Sequence, residues 1–202
     1  MDRLWTPWRY AYISGLISEP GLASRKGIPE ALGAWPGDHR CVFCNMIASV
    51  DHAVANGMAV DQAEKAAWIL HRGKYCFLCL NAFPYATGHV LIVPYQHLAG
   101  LAELPAPAAQ EMMRYAQTAE TILRQTYRPD GLNLGVNLGE AAGAGVAGHL
   151  HMHALPRWVG DTNFMTVIAE TRVLPEALET TWSKLRERLN AAEPPAGANR
   201  SS

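Results

Sequence analysis

Hydrophobic and polar positions along this chain repeat with two different periods. Three short apolar runs follow one another, Ala67 to His71 (AWILH), Tyr75 to Asn81 (YCFLCLN) and Gly88 to Pro94 (GHVLIVP). Each is rich in β-branched, aromatic or leucine side chains, and the turn-forming stretches RGK and AFPYAT separate them, which predicts three strands. From about Pro107 to Tyr127 the spacing changes. Ala108, Met112, Ala116, Ala119 and Leu123 recur at three- and four-residue steps, while Glu111, Arg114, Gln117 and Arg124 lie off that stripe. This is the period of an amphipathic helix, and Pro107 suits its first turn. Leu132 to Leu138 (LNLGVNL) and His149 to Leu155 (HLHMHAL) predict two more strands on either side of a Gly-rich loop, and Pro175 to Asn190 predicts a second main helix. A shorter helix is expected to begin near the second cysteine of CVFCNMIASVDHAVA. Helices interspersed with an antiparallel meander of about five strands predict an α+β domain.

The flanks behave differently. Residues 1–40 divide into an aromatic arm, WTPWRYAYI, and a stretch from Pro20 to Asp38 where Gly and Pro recur without apolar periodicity. Residues 41–190 carry the domain, and residues 191–202 (AAEPPAGANRSS) offer nothing to pack and are expected to be disordered.

Composition narrows the classes of function. Of 202 residues, 49% are apolar, enough for one sizeable core. Seventeen Lys and Arg stand against eighteen Asp and Glu, so there is no bulk positive field to hold a phosphate backbone, and a nucleic-acid partner is not expected. No apolar run approaches the roughly 20 residues of a membrane span. Met1 to Tyr12 mixes Asp2, Arg3 and Arg9 with aromatics instead of forming a signal sequence, which points to a cytoplasmic protein without a membrane partner.

The candidate chemistry sits at two places. His149, His151 and His153 alternate, so on a strand they share one face while Leu150, Met152 and Ala154 face the core. They are a solvated stripe, a metal site, or the working face of an active site. Cys41 and Cys44 form a CxxC pair, which on its own is ambiguous between thiol redox chemistry and zinc. Cys76 and Cys79 repeat the spacing within a strand, where residues three apart face opposite sides, so they read as buried small hydrophobes. Trp5, Trp8 and Trp35 read as packing anchors, and Arg157 with Asp161 as a surface ion pair.

HLHMHAL fits the pattern His-φ-His-φ-His-φ-φ, where φ is apolar, and resembles the histidine triad (HIT) family of nucleotide hydrolases and transferases. The likeness extends to WTPWRYAYI, NAFPYATGHVLIVPYQH, GLNLGVNLGEAAGAG and PRWVGDTNF, which look most like the bacterial and mycobacterial branch that includes diadenosine tetraphosphate phosphorylases. The resemblance implies a HIT-like fold that dimerises or forms a higher homo-oligomer, with Trp158 approaching the neighbouring subunit's site. It implies an adenine nucleotide or dinucleoside polyphosphate as substrate, inorganic phosphate or water as acceptor, and no organic cofactor. His151 would be the nucleophile that attacks the α-phosphorus, and His153 would donate a hydrogen bond to phosphate or leaving-group oxygen. Asn81 would hold ribose hydroxyls, His89 would line the pocket, and Asn137 would touch phosphate. The loop departs from better-known branches by offering Ala144, Gly145, Val146 and Ala147, so phosphate contacts there, Gly145 included, would come from backbone N–H groups. The resemblance also implies a structural zinc held by Cys41, Cys44, His97 and His149. Two other readings stay open: a zinc-dependent hydrolase using the three triad histidines as ligands, and a nucleotide-binding module without turnover.

Overall fold

The computed structural model describes residues 27–161 and 176–192. Helices α1 (Val42–Ala55) and α2 (Val60–Ala66) precede strands β1 (Ile69–Arg72), β2 (Cys76–Leu80) and β3 (Val90–Pro94). The long helix α3 (Ala106–Tyr127) follows, then β4 (Gly131–Val136), β5 (Met152–Arg157) and α4 (Leu178–Ala192). All strand pairs are antiparallel, in the order β1-β2-β3-β5-β4. The α+β class and the five-stranded sheet are as the sequence predicts.

β2 and β3 are buried along their whole length because the sheet is covered on both faces. Cys76, Leu78, Leu80, Val90 and Ile92 point to one side, where α3 and α4 pack with Met112, Ala119, Leu123 and Leu185. Phe77, Cys79, Leu91 and Val93 point to the other, against Phe43, Val50 and Ala63 of α1 and α2 and against Leu32. Cys76 and Cys79 therefore lie in opposite layers, as their spacing in a strand requires. Helices α1 and α2 pack on the β1 to β3 side of the second face, and Phe43 at the start of α1 reaches the histidine segment before β5. The β5 and β4 side of that face carries His151, His153, Asn133 and Gly135, with His153 opposite Leu91 on β3 and Gly135 on β4.

Three sequence expectations shift. The last strand begins at Met152 and not at His149, because the Leu150 N–H is donated to the Leu98 carbonyl and the His149 N–H to Val146, outside the sheet ladder. α2 was hidden behind a stretch, Val60–Ala66, too short to show helical periodicity, and it ends where Trp68 takes a left-handed φ of 56° that swings the chain into β1. Glu111, off the apolar stripe of α3, is nonetheless buried. Its carboxylate accepts the backbone N–H groups of Lys74, Tyr75 and Cys76 at 3.2, 2.5 and 2.7 Å and so ties α3 to the β1–β2 turn.

Among the described residues no helix is long and apolar enough to cross a membrane. Trp5, Trp8, Pro175 and the carboxyl tail lie outside the described residues. Trp35 is half-buried beside His39, and Arg157 meets Asp161 through two hydrogen bonds of 2.6 and 2.8 Å.

Candidate functional site

Cys41 is the cap residue of α1 and Cys44 lies in its first turn, so the CxxC spacing brings both thiols to one helix end. The cap is held by the fully buried Asn45, whose carbonyl oxygen accepts the His39 N–H at 2.7 Å and whose amide donates to Asp38 at 3.0 Å. His97 follows β3 and His149 precedes β5. These four residues, far apart in sequence, bring their ligand atoms within 4.8 Å of one another. Cys41 Sγ lies 3.2 Å from His149 Nδ1, and Cys44 Sγ lies 3.4 Å from His97 Nδ1 and 3.6 Å from His149 Nδ1. Zinc–sulfur and zinc–nitrogen bonds of ordinary length in a tetrahedron separate such atoms by about 3.3–3.8 Å, so the donor set fits zinc in both chemistry and spacing.

The electrostatics agree with that fit. Burial, and then the neighbouring Cys41, push the Cys44 thiol up to about 12, so Cys44 becomes a thiolate only when a cation compensates it. Burial brings His149 down to about 4, and His97 and His151 nearby add to the effect. Its imidazole is therefore neutral, and its Nε2–H donates to the Pro94 carbonyl at 2.9 Å, which leaves Nδ1 as the ligand atom. In the metal-free protein this has a consequence for stability. The unfolded chain protonates His149 near 6.5 while the folded chain resists until about 4. Stability is full above the first value and is expected to fall by a few kcal/mol as the pH drops between them, which denaturant titrations of chelator-treated protein would measure.

The other two triad histidines are set differently. His151 Nδ1–H donates to the backbone carbonyl of His149 at 2.8 Å, leaving the lone pair on Nε2. The His153 side chain is reached by a chain of donors. The Tyr85 N–H donates to His89 Nδ1 at 3.1 Å, which puts the proton of neutral His89 on Nε2, and this donates to His153 Nδ1 at 2.9 Å. The proton of neutral His153 is thereby on Nε2. Gly88, at φ +79°, delivers His89 to the start of β3, and a Cβ there would stand 2.8 Å from the Tyr127 ring. The His151 and His153 rings are 4.9 Å apart and edge-to-face, so a ring with its proton on Nδ1 stands beside one with its proton on Nε2. No cluster of metal-capable atoms among the described residues combines His149, His151 and His153.

The remaining candidates are distributed around this pair. Asn81 sits half-buried with its Oδ1 accepting the Phe83 N–H at 2.9 Å and its amide 3.3 Å from His89 Nδ1. Asn137 is half-buried just past β4, and Gly145 is exposed in the loop before the triad. Trp158 is half-buried, with its N–H donated to Asp161. The sequence reading overlooked Tyr85, Pro94 and Phe43. Pro94 acts through its carbonyl and Tyr85 through its N–H as well as its ring, which stacks on His153 at 5.8 Å, while Phe43 sits between the two cysteines of the CxxC motif.

A family model described as HIT domain matches residues 62–159. A Mycobacterium tuberculosis protein named AP-4-A phosphorylase is 39% identical over 181 residues, spanning 90% of this chain and 80% of that one. The solved structure of a zinc-bound histidine triad family protein from Mycobacterium smegmatis superposes with a TM-score of 0.54 at 25% identity, covering 76% of this chain and 97% of that one. A hypothetical histidine triad nucleotide-binding protein from Sulfolobus tokodaii gives a TM-score of 0.57 at 22% identity, with 80% and 100% covered.

Proposed function

This chain belongs to the HIT domain family of nucleotide-processing enzymes, and from that premise we propose that it is a diadenosine tetraphosphate phosphorylase working through a covalent nucleotidyl-histidine. The observation that carries the reading is the hydrogen bond from His151 Nδ1 to the His149 carbonyl, which puts the proton on Nδ1 and the lone pair on Nε2. An imidazole so fixed needs no separate base to act as a nucleophile near neutral pH.

In the first step Nε2 of His151 forms a bond to the α-phosphorus and the P–O bond to the leaving nucleotide breaks. ATP departs, with the His153 Nε2–H placed to donate to its terminal oxygen. In the second step inorganic phosphate attacks the same phosphorus, the P–N bond breaks, and ADP leaves with His151 returned to its neutral form. Asn81 holds ribose hydroxyls, Asn137 and the backbone N–H groups around Gly145 hold phosphate oxygens, and His89 keeps His153 in the donor tautomer. Bound zinc would supply a fixed, positively charged tie between α1 and the segment before β5. The chain's own Cys41, Cys44, His97 and His149 would hold it, and a reducing cytoplasm keeps their thiols available. A homodimer is supported by the edge position of β4, where Leu134, and Leu138 two residues past the strand, are each 46% exposed.

Chromatography of the products from diadenosine tetraphosphate tests the acceptor. ADP and ATP that form only with phosphate are expected. AMP formed without phosphate would make the enzyme a hydrolase, and binding without turnover would make it a nucleotide-binding module. His89→Ala is expected to lower kcat by about 10- to 100-fold with little change in KM, because His153 then loses its tautomer partner, and steady-state kinetics check this.

A further inference from the structure

We propose that Phe43, which lies between the two cysteines on the first turn of α1, is a positioning residue for the His151 imidazole; the inference rests on the reading of His151 as the nucleophile. Phe43 is 4% exposed. Its ring centroid is 5.1 Å from that of His151, with a tilt of 51°, and 5.3 Å from that of His149 in an edge-to-face arrangement. His153 stands against His151 as well, at 4.9 Å. One helix turn thus presents two thiols to His149 and an aromatic ring to the histidine two residues further on.

The physical need is clear from the nucleophile's own bonds. A histidine ring turns easily about its Cβ–Cγ bond; the hydrogen bond to the His149 carbonyl holds Nδ1, and packing against neighbouring rings holds the plane. Contacts from Phe43 and His153 restrict what remains, and a near-attack geometry depends on that restriction. The reaction adds a second effect. When Nε2 bonds to phosphorus, Nδ1 keeps its proton, so the His151 ring becomes cationic while the departing oxygen takes the P–O electron pair. The Phe43 ring, 5.1 Å away, holds the plane of that ring as its charge develops, and so acts on the rate. Asn45, two residues further along the same helix, anchors the helix start through hydrogen bonds with His39 and Asp38.

The test uses the zinc-loaded full-length chain as wild type, Phe43→Leu and Phe43→Tyr. Zinc per chain, KM, the single-turnover rate of adenylyl-histidine formation from diadenosine tetraphosphate without phosphate, and the ¹⁵N signals of the His151 ring are measured for each. Phe43→Leu is expected to keep its zinc and a KM within about two-fold, to form the adduct at least about 10-fold more slowly, and to show a mixed tautomer at His151. Phe43→Tyr, which retains the ring, is expected to recover most of the rate and the single-tautomer spectrum. Adduct formation at the wild-type rate in Phe43→Leu, with an unaltered His151 spectrum, would overturn the proposal. A rate that falls only in proportion to lost zinc in both variants would overturn it as well, since Phe43 would then act through the metal alone. Absence of adduct in the wild type removes the nucleophile reading instead, and the His151 spectrum of Phe43→Leu then decides whether Phe43 holds the ring.

Discussion

Replacing His151 by alanine is expected to lower kcat on diadenosine tetraphosphate by at least about 10³-fold while leaving nucleotide affinity within a few-fold of wild type. The size follows from what the residue does. The carbonyl that orients His151 belongs to the main chain, and the ring stands 5.1 Å from Phe43 and 4.9 Å from His153. Removing it deletes the bond-forming atom, Nε2, and leaves the surrounding groups to bind and polarise a substrate that nothing attacks. The loss therefore falls on the chemical step and spares binding. Equilibrium dialysis with AMP, alongside turnover assays, separates the two. A variant that keeps more than a tenth of wild-type kcat would place the nucleophile elsewhere. His153→Gln, by comparison, removes a donor and not the attacking atom, and its effect is smaller.

The second large effect is expected on metal removal. Cys41 and His149 are 108 residues apart, and their ligand atoms lie 3.2 Å from each other. A bound zinc therefore closes a long loop and ties α1 to the segment leading into β5. Cys44→Ser, or treatment with a strong chelator, is expected to release one zinc per chain and to lower the melting temperature by about 10 °C or more. Turnover falls too, because the His149 carbonyl that accepts the His151 proton belongs to a ligand residue, and Phe43 shares the helix turn with both thiols. Calorimetry and metal analysis on the same samples check the prediction. A chelated chain that melts at the wild-type temperature would contradict a structural role for the site.

Much of this was legible before any coordinates. The period of α3, the apolar runs of β2 and β3 and the alternating histidines each reflect a local rule, burial of one helix stripe or of both strand faces, and such rules leave their mark in residue type. The opposite layers of Cys76 and Cys79 follow from the strand period alone. What was illegible depends on contacts between segments distant in the chain. Glu111 looks like a surface residue by its position on the helix, and only the β1–β2 turn, with three N–H groups to satisfy, makes it a buried one. The start of β5 moved because Leu150 gives its N–H to Leu98 in a loop that no periodicity announces. The donor chain from Tyr85 through His89 to His153 begins with a backbone group, and backbone groups are the same at every residue but proline.

The most direct test of the account is mass spectrometry of the protein quenched during turnover of diadenosine tetraphosphate in the absence of phosphate. One adenylyl group per chain is expected, carried on the peptide that contains His151, discharged as ADP when phosphate is added and missing from His151→Ala. Turnover that proceeds with no covalent adduct on any histidine would contradict it.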